Sequence, residues 1–306
     1  MELKKLLKKE RYKNDLYFHL SQVLVFFLFK LPSEKWIISK KFKMAHGYEL
    51  DLDNPKTLNE KIQWLKLNDR KDEYTTMADK YAVRDYLSSR FGKEFLVPLY
   101  FHTDNWREIT PQNINKFPCI VKANHTSGDY VILRSPNQVN WNELRRKCKY
   151  WLKRDYYVES QEWQYKNIHR KIVVEELLLT KAGTIPNDYK LHYINGELQF
   201  VYCSIDREGV DKRNIYDKDW NPLPFSWVSK ATSENVRGDE IDAPATFEKM
   251  KEIGNKVAAG MKYVRVDFYD VDGKLYFGEI TLYHGSGFDI FVPQKYDKIF
   301  GEMIKL

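Results

Sequence analysis

Hydrophobic residues recur along this chain with two different periods, and each period predicts one type of secondary structure. Leu58, Ile62 and Leu65 follow one another at helical spacing after a capping residue, which is Thr57 or Asn59. This pattern predicts an amphipathic helix. Further helical patterns cover residues 76–90, 140–154 and 245–260.

Short apolar runs between these helices predict strands. The run over residues 117–124 contains Lys122 near its end, and a loop of small residues, 125–129, follows it directly. Two longer segments predict hairpins, because alternating residues flank the turn pairs Asn195-Gly196 and Asp272-Gly273. Other runs that predict strands cover residues 98–101, 130–133 and 171–178.

The second hairpin carries one carboxylate on each strand, and the pairing register decides whether these carboxylates meet. A two-residue turn at Asp272-Gly273 would place Asp267 opposite Gly278 and direct Glu279 to the other face. A three-residue loop over 272–274, with the glycine in a left-handed conformation, would instead pair Asp267 with Glu279.

Hydrophobic sorting favours the three-residue loop. In that register Arg265 pairs with Thr281, and Asp267 and Glu279 lie together on rigid strands, which suits a hard cation such as Mg2+. An ordinary surface hairpin with solvated carboxylates remains the alternative from the hairpin alone. The apolar residues that the three-residue loop would place on one face are Val264, Val266, Phe268, Ile280 and Leu282.

The composition is that of an ordinary soluble protein with room for one large or two modest domains, since 306 residues include 43% hydrophobic and 30% charged residues. The net charge of +7 singles out no polyanionic partner, because Lys and Arg are spread along the chain. Cys119, Cys148 and Cys203 are odd in number and lack metal-binding spacing, which predicts buried thiols in a reducing compartment.

The N-terminal segment combines a basic stretch, residues 1–9, with an apolar run over 16–31 that polar residues interrupt. This run is shorter than the roughly 20 apolar residues of a membrane span, and no small-residue cleavage site follows it. We therefore predict a cytoplasmic protein. The segment is either a helix packed on the main domain, which we favour, or an amphipathic helix on the inner face of a membrane.

Taken in chain order, these features resemble the ATP-grasp ligases. A strand ends at a lysine before a glycine loop, and another strand closes on paired glutamates. An Asp-x-Lys hairpin at 188–190 follows, and an Arg-x-Asp strand at 265–267 then pairs with a Glu-x-Thr strand at 279–281. The chain is most similar to the TupA-like (teichuronopeptide biosynthesis) proteins of capsule and surface-polysaccharide loci, and the resemblance extends over residues 56–287.

The resemblance implies an α+β class and an ATP-grasp fold, in which two α+β subdomains enclose ATP, with a helical N-terminal extension. The extension is a candidate for membrane association. The implied organisation is an extension over 1–55, a preceding region over 56–118, a first subdomain with the phosphate loop and adenine hinge over 119–180, and a second subdomain with the metal and substrate site over 181–306.

The resemblance also implies ATP as a cofactor and assigns residues to it. Lys80 and Lys122 resemble the two nucleotide lysines, residues 125–128 the loop over the phosphates, and residues 175–178 the hinge whose backbone reads adenine. The Asp-x-Lys element supplies a ribose or phosphate contact. The implied nucleotide-binding residues are Lys80, Lys122, His125, Ser127, Gly128, Glu175, Glu176, Leu177, Leu178, Asp188 and Lys190.

Mg2+ is the second implied cofactor. Asp267 and Glu279 resemble its ligands, and Arg265 and Lys190 resemble the catalytic cations near the reacting phosphate. Most members of the family carry Asn two residues after the second metal carboxylate, where this chain has Thr281. A hydroxyl can still ligate the metal or bond its water.

The implied activity joins a carboxylate to an amine through an acyl phosphate, with a uronic acid or similar carboxylate of a capsular or cell-surface polysaccharide as the substrate. Arg265 and the amides of 285–287 would stabilise the oxyanion. Arg207 and Arg213 suit an acidic substrate but also suit water, and a lone histidine such as His284 is more often structural. The candidate substrate contacts are Arg207, Arg213, His284 and Ser286.

Two other functions remain open. A glycosyltransferase of a capsule locus would more typically show a strand-end Asp-x-Asp, and the pairs at 51–53 and 270–272 lack that context. A sugar kinase with the same nucleotide fold would consume the same γ-phosphate, so the sequence does not separate it from a ligase. The sequence indicates no nucleic-acid partner and does not specify an oligomeric state.

Overall fold

The computed structural model of the protein describes residues 15–205, 212–229 and 237–306, which form antiparallel sheets with helices packed against them. The helices are α1 (Asp15–Val25), α2 (Glu34–His46), α3 (Leu58–Asn68), α4 (Asp72–Ala78), α5 (Val83–Phe91), α6 (Trp141–Lys153), α7 (Tyr156–Ser160), α8 (Phe247–Ala258) and α9 (Lys295–Met303). The strands are β1 (Leu99–Thr103), β2 (Cys119–Ala123), β3 (Tyr130–Leu133), β4 (Ile172–Glu176), β5 (Asp188–Ile194), β6 (Glu197–Ile205), β7 (Lys212–Tyr216), β8 (Ser226–Val228), β9 (Tyr263–Val271), β10 (Lys274–Thr281) and β11 (Ile290–Val292).

A four-stranded sheet, in the order β1-β4-β2-β3, forms the first half of the fold. Cys119, Val121 and Ala123 of β2 are fully buried in a core that also includes residues of α6. Because side chains alternate along a strand, Ile120 and Lys122 point to the opposite face. That face forms one wall of a cleft.

A five-stranded sheet, in the order β10-β9-β5-β6-β7, forms the second half. Val264, Val266 and Phe268 of β9 are fully buried in a core shared with α3 and α8, as the apolar pattern predicts. The intervening residues, Arg265 and Asp267, face the cleft from the other side. A two-stranded sheet, β11-β8, completes the fold.

The predicted three-residue loop of the second hairpin is wrong. Val271 pairs with Lys274, so the turn contains two residues, and Asp272 (φ 53°) and Gly273 (φ 86°) both adopt left-handed conformations. These are the conformations that a type I′ turn requires, and they match the twist of the flanking strands. The Asp-Gly pair therefore forms the tight turn that its sequence favours.

The extra residue lies within β10 instead. Phe277 pairs with Phe268, whereas Ile280 pairs with Val266, so Gly278 and Glu279 together oppose a single residue, Asp267. This bulge restores the predicted Arg265–Thr281 pairing. The predicted neighbourhood of the carboxylates is thus confirmed, although its cause is a bulge and not a longer loop.

The predicted helix over 76–90 is interrupted, which also corrects the sequence analysis. Helix α4 ends at Ala78 and α5 begins at Val83, and Lys80 lies in the break. The Asp79 carboxylate accepts a hydrogen bond from the Tyr81 backbone N–H (2.8 Å) and another from the Asn124 side chain (2.8 Å). A local bond from an aspartate to the backbone competes with the helical pattern and ends it.

The first N-terminal helix packs on the main domain, which is the arrangement that the sequence analysis favours. Phe18 of α1 is buried and stacks on Tyr150 of α6 (ring centroids 4.8 Å apart). Most of the apolar side chains that follow are exposed. In the part of the chain that the structure describes, no helix combines the length and apolarity that a bilayer crossing requires. The exposed apolar residues of this segment are Leu20, Val23, Phe26, Phe27, Leu28 and Leu31.

Candidate nucleotide and metal site

A cleft of about 320 Å³ lies between the two large sheets, and the candidate site is built on its walls. The first sheet contributes residues of β2, β3 and the end of β4, and the second sheet contributes residues of β5, β9 and β10. The predicted residues that line the cleft are Lys80, Lys122, Ser127, Gly128, Glu175, Glu176, Leu177, Leu178, Asp188, Lys190, Arg265, Asp267 and Glu279.

Arg265 connects the acidic residues at the base of the cleft. Its Nε and Nη2 atoms donate to the two carboxylate oxygens of Asp267 (2.7 and 2.6 Å), and Nη2 also donates to Glu279 (2.8 Å). Its Nη1 atom donates to Nδ1 of His284 (2.8 Å). One guanidinium therefore holds both predicted metal carboxylates close together.

The two carboxylates differ in exposure and in electrostatics. Asp267 is 3% exposed, and burial raises its pKa to about 7, with Asp188 and Glu279 adding to the rise and Arg265 opposing it. The Glu279 side chain is 39% exposed. Burial opposes its ionisation, but Lys80 and Arg265 outweigh burial and lower the pKa of Glu279 below the ordinary glutamate value.

Lys80 and Lys122 reach the cleft from different elements. Lys80 lies in the break between α4 and α5, donates to the Thr126 carbonyl (2.6 Å) and approaches Glu279 (3.9 Å). Lys122 lies on β2 and donates to Glu175 of the neighbouring strand (2.8 Å). Both cations thus have fixed positions, one close to the metal carboxylates and one close to the end of β4.

Asp188 and Lys190 lie at the start of β5, on the face that lines the cleft. They form an ion pair, and Lys190 also donates to the Ser204 hydroxyl (3.1 Å). Lys190 lies directly opposite Asp267 in the β5–β9 ladder. The Asp-x-Lys element therefore lies beside the Arg265 cluster, on the neighbouring strand.

Some residues of the loop after β2 line the cleft, and others are buried in the interior. Ser127 and Gly128 line the cleft, whereas His125 does not. The His125 ring is buried, with its nitrogens near the Asn124 side chain (3.2 Å) and the Arg154 carbonyl (3.3 Å). Burial lowers the pKa of His125 to about 4. Its geometry supports an anchor for the loop and not the predicted phosphate contact.

The end of β4 and the residues that follow it line the cleft. Glu175 accepts from Arg84 (3.0 Å) as well as from Lys122. The backbone N–H groups of Glu176 and Leu177 donate to carbonyls of the preceding loops, Pro98 and Pro118 (2.9 and 3.2 Å). Sequence reasoning missed Arg84, because its position on α5 carries no signal of a partner on β4.

The remaining predicted residues lie beside the cleft. Thr281 donates to Glu279 (3.1 Å), so it positions a candidate ligand. His284 is buried, and burial and Arg265 lower its pKa well below the usual histidine value. Ser286 lines a separate cavity. Arg213 lies on β7 outside the cleft lining, and Arg207 lies outside the described residues.

The class of protein that the geometry defines is an α+β fold with two sheets that enclose a cleft lined by lysines, an arginine and paired carboxylates. The chain belongs to the TupA-like ATP-grasp family, whose model matches residues 60–305. This match confirms the predicted family and the ATP-grasp fold, and the cofactors of that family are ATP and Mg2+. No curated protein matches the chain.

Solved structures of ATP-grasp ligases are similar to this chain at low identity. D-alanine–D-alanine ligase from Bacillus anthracis, complexed with ATP, is 14% identical over 68% of this chain and 54% of its own, with a TM-score of 0.40. The ADP complex of N5-carboxyaminoimidazole ribonucleotide synthetase is 12% identical over 73% of this chain and 50% of its own, with a TM-score of 0.39. The chain thus spans about half the length of these structures, and the assignment is based on the family match.

Proposed function

We propose that this protein is an ATP- and Mg2+-dependent carboxylate–amine ligase that attaches an amine to a uronic acid or similar carboxylate of a cell-surface polysaccharide or its precursor. The observation that carries the proposal is the convergence of Lys80, Lys122, Arg265, Asp267 and Glu279 on one cleft. The family match supports the reaction type. The glycan substrate rests on the resemblance to TupA-like proteins.

The chemistry of the acidic residues fits Mg2+. Magnesium prefers oxygen ligands and is usually held by one or two carboxylates together with substrate phosphates and water. Asp267 and Glu279 supply two carboxylates, and no cluster of three or more His, Cys, Asp or Glu around one point occurs within residues 15–205, 212–229 and 237–306. Bound there, Mg2+ would neutralise phosphate charge.

The cations of the cleft suit phosphoryl transfer, which needs neutralised charge and an aligned nucleophile more than covalent help from the protein. Lys80, Lys122 and Lys190 would hold the phosphate chain of ATP. The Ser127-Gly128 loop would cover the phosphates, and the backbone of 175–178 would contact adenine. The substrate carboxylate would attack the γ-phosphorus, so that ADP leaves and an acyl phosphate forms.

Arg265 would act in the second half of the reaction. An amine attacks the acyl carbon, the new C–N bond forms, and the C–O bond to phosphate breaks with release of inorganic phosphate. Negative charge grows on the acyl oxygen during attack, and a buried guanidinium stabilises such charge strongly. His284 accepts a hydrogen bond from Arg265 at Nδ1, so it orients the guanidinium.

A nucleotide-binding assay followed by a product screen tests this proposal. We expect MgATP to raise the melting temperature of the wild-type protein and Lys122→Ala to remove most of that rise, while the exposed Lys116→Ala leaves it unchanged. ADP and phosphate should then be released only when both a uronic acid and an amine are present. Stabilisation by UDP-sugars alone would favour a glycosyltransferase, and a phosphorylated sugar formed without amine would favour a kinase.

We also propose that the N-terminal segment makes peripheral contact with an anionic membrane surface. Six apolar side chains between Leu20 and Leu31 are 38% to 62% exposed, although Phe18 and Ser21 of the same segment are buried. The sequence that precedes α1 is rich in Lys and Arg. An exposed apolar face next to basic residues is typical of helices that lie on anionic lipid.

Sedimentation with vesicles tests the membrane contact. We expect the wild-type protein to pellet with vesicles that contain phosphatidylglycerol, and to pellet less with pure phosphatidylcholine. The double variant Val23→Ser, Phe27→Ser should stay in the supernatant, whereas Val292→Ser, which changes an exposed apolar residue elsewhere, should behave as wild type. Equal sedimentation of the double variant and the wild type would contradict the proposal.

A further inference from the structure

The turn that follows β10 contains a buried histidine with one ring nitrogen bonded to the candidate site. His284 is 6% exposed, and its Nδ1 atom accepts a hydrogen bond from Nη1 of Arg265 (2.8 Å). Its second ring nitrogen, Nε2, is buried and makes no hydrogen bond to any of the described residues. A buried polar atom without a partner is rare in a folded protein and calls for an explanation.

The single ring proton of His284 lies on Nε2. Burial, together with the nearby Arg265, lowers the pKa of His284 well below its usual value, so the ring is neutral and carries one proton. A guanidinium group only donates hydrogen bonds. Nδ1 therefore holds the lone pair that accepts from Arg265, and Nε2 is a donor that requires an acceptor.

Asp289 places an acceptor beside this donor. Its Oδ2 atom lies 3.5 Å from Nε2 of His284, which is the outer limit of a hydrogen bond. Burial raises the pKa of Asp289, and Arg213 and Arg265 oppose that rise by favouring the ionised carboxylate. An acceptor at one ring nitrogen of a histidine fixes the tautomer that the other nitrogen presents.

The residues around the turn leave room for this carboxylate and hold it in place. Gly285 has a positive φ (53°), and a Cβ atom at this position would lie 2.4 Å from the carboxylate carbon of Asp289. A side chain at position 285 would thus displace Asp289. Trp227 donates from Nε1 to the Asp289 carbonyl (3.2 Å), and its ring packs on the His284 ring with centroids 4.3 Å apart. Asp289 and His284 are therefore fixed next to each other.

The bond to His284 differs from the other hydrogen bonds of Arg265. In the described part of the chain, Arg265 donates three hydrogen bonds to Asp267 and Glu279, which are the candidate metal ligands. A metal ion held by these carboxylates would compete with Arg265 for the same oxygen atoms. The neutral His284 ring would keep its bond. His284 is thus the partner that can still orient the guanidinium when the metal site is filled.

We propose that Asp289 is a positioning residue of the ligation: it accepts from Nε2 of His284 and thereby holds the ring so that Nδ1 orients Arg265 toward the acyl oxygen. The inference rests on the proposed function, in which Arg265 stabilises the charge on that oxygen. Asp289 acts through His284 and Arg265 and does not itself contact the reacting atoms.

NMR of the full chain, labelled with 15N in the histidine rings, tests the arrangement without requiring turnover. The His284 signals are assigned by their loss in His284→Gln. We expect the wild-type ring to carry its proton on Nε2 at neutral pH, and this proton to exchange slowly with water. Asp289→Leu removes the acceptor and should speed the exchange by about tenfold or more, because a hydrogen bond to a charged group is lost. Asp289→Asn keeps an oxygen acceptor and should keep both the tautomer and the slow exchange.

Asp219→Leu is the matched control, since it makes the same substitution at an exposed position and should leave the His284 signals unchanged. With substrates from the product screen, Asp289→Leu should lower kcat for amide formation by about tenfold and leave the KM for ATP unchanged, and Asp289→Asn should recover most of the rate.

The wild-type spectrum decides the tautomer whether or not the leucine variant folds. The proposal is overturned if the wild-type ring carries its proton on Nδ1 or on both nitrogens, or if Asp289→Leu leaves the proton exchange or the rate of amide formation at the wild-type value. Failure of the ligase function would instead appear as the expected spectra without any amide product.

Discussion

The hairpins β5–β6 and β9–β10 have the same construction but different consequences. Each turns through two left-handed residues, Asn195-Gly196 and Asp272-Gly273, and each contains a register shift. In β5–β6 the shift lies next to His192, which is buried among aromatic rings. In β9–β10 it lies opposite Asp267 in the cleft. The same register shift therefore lies in the packed core in one hairpin and at the candidate site in the other.

The glycine at the second bulge explains this difference. A Cβ atom at position 278 would lie 3.0 Å from the Asp267 carbonyl oxygen and 3.1 Å from the Asp267 Cβ. Glycine therefore lets β10 approach Asp267 closely while Glu279 turns into the cleft. In the first hairpin the extra residue is Gln199, whose side chain needs no such space.

The largest effect should come from the carboxylate opposite the bulge. Asp267→Asn keeps the shape but removes the charge that balances Arg265 and would hold Mg2+. We expect ADP release to fall by about 100-fold or more, as for loss of a group that acts on transition-state charge. Asp272→Asn on the turn of the same hairpin is the control. Equal activity of the two variants in the ADP-release assay would contradict the assigned role of Asp267.

A smaller effect should follow from a single added methyl group at the bulge. Gly278→Ala forces the contact with Asp267 to open, and we expect about a tenfold loss of activity together with about 1–3 kcal/mol of stability. Gln199→Ala at the first bulge should change activity little. Urea unfolding and ADP release measure the two quantities, and the comparison fails if the two variants behave alike.

His192 of the first hairpin should make the free energy of unfolding depend on pH. Burial lowers the pKa of His192 well below its usual value, so the neutral ring stabilises the fold fully above the unfolded pKa, and that stability is lost as pH falls. Below pH 6.5 the unfolding free energy should decrease by up to about 1.4 kcal/mol per pH unit from this group. His192→Phe should reduce that slope in urea titrations at successive pH values, and an unchanged slope would count against the prediction.

Much of the architecture could be predicted because local signals agree with the tertiary fold. Thr57 and Glu60 form a capping box at the start of α3, and both two-residue turns occur at the pairs that favour them. Two features could not be read locally. The bulge at Gly278 depends on a contact across strands, and the break after Ala78 depends on Asn124, which is distant in sequence.

The site was predictable where residues lie at fixed strand positions and less so elsewhere. Lys122 and Asp267 face the cleft because strand periodicity places them there, whereas Glu279 reaches the cleft through the bulge in β10. His125 follows β2 in an irregular loop, where no period directs the side chain, and it turns inward. The separate cavity that Ser286 lines had no sequence signal, because its walls come from α2, the segment around α7 and the turn after β10.

The bidentate bond between Arg265 and Asp267 makes folding of the protein independent of metal binding. Metal-dependent domains often remain unfolded without their ion, since unbalanced carboxylates repel one another in the interior. Here the guanidinium supplies the compensating charge from within the chain. We expect the protein to fold fully in chelator, and the arriving cation then has to compete with an arginine for a carboxylate already in use.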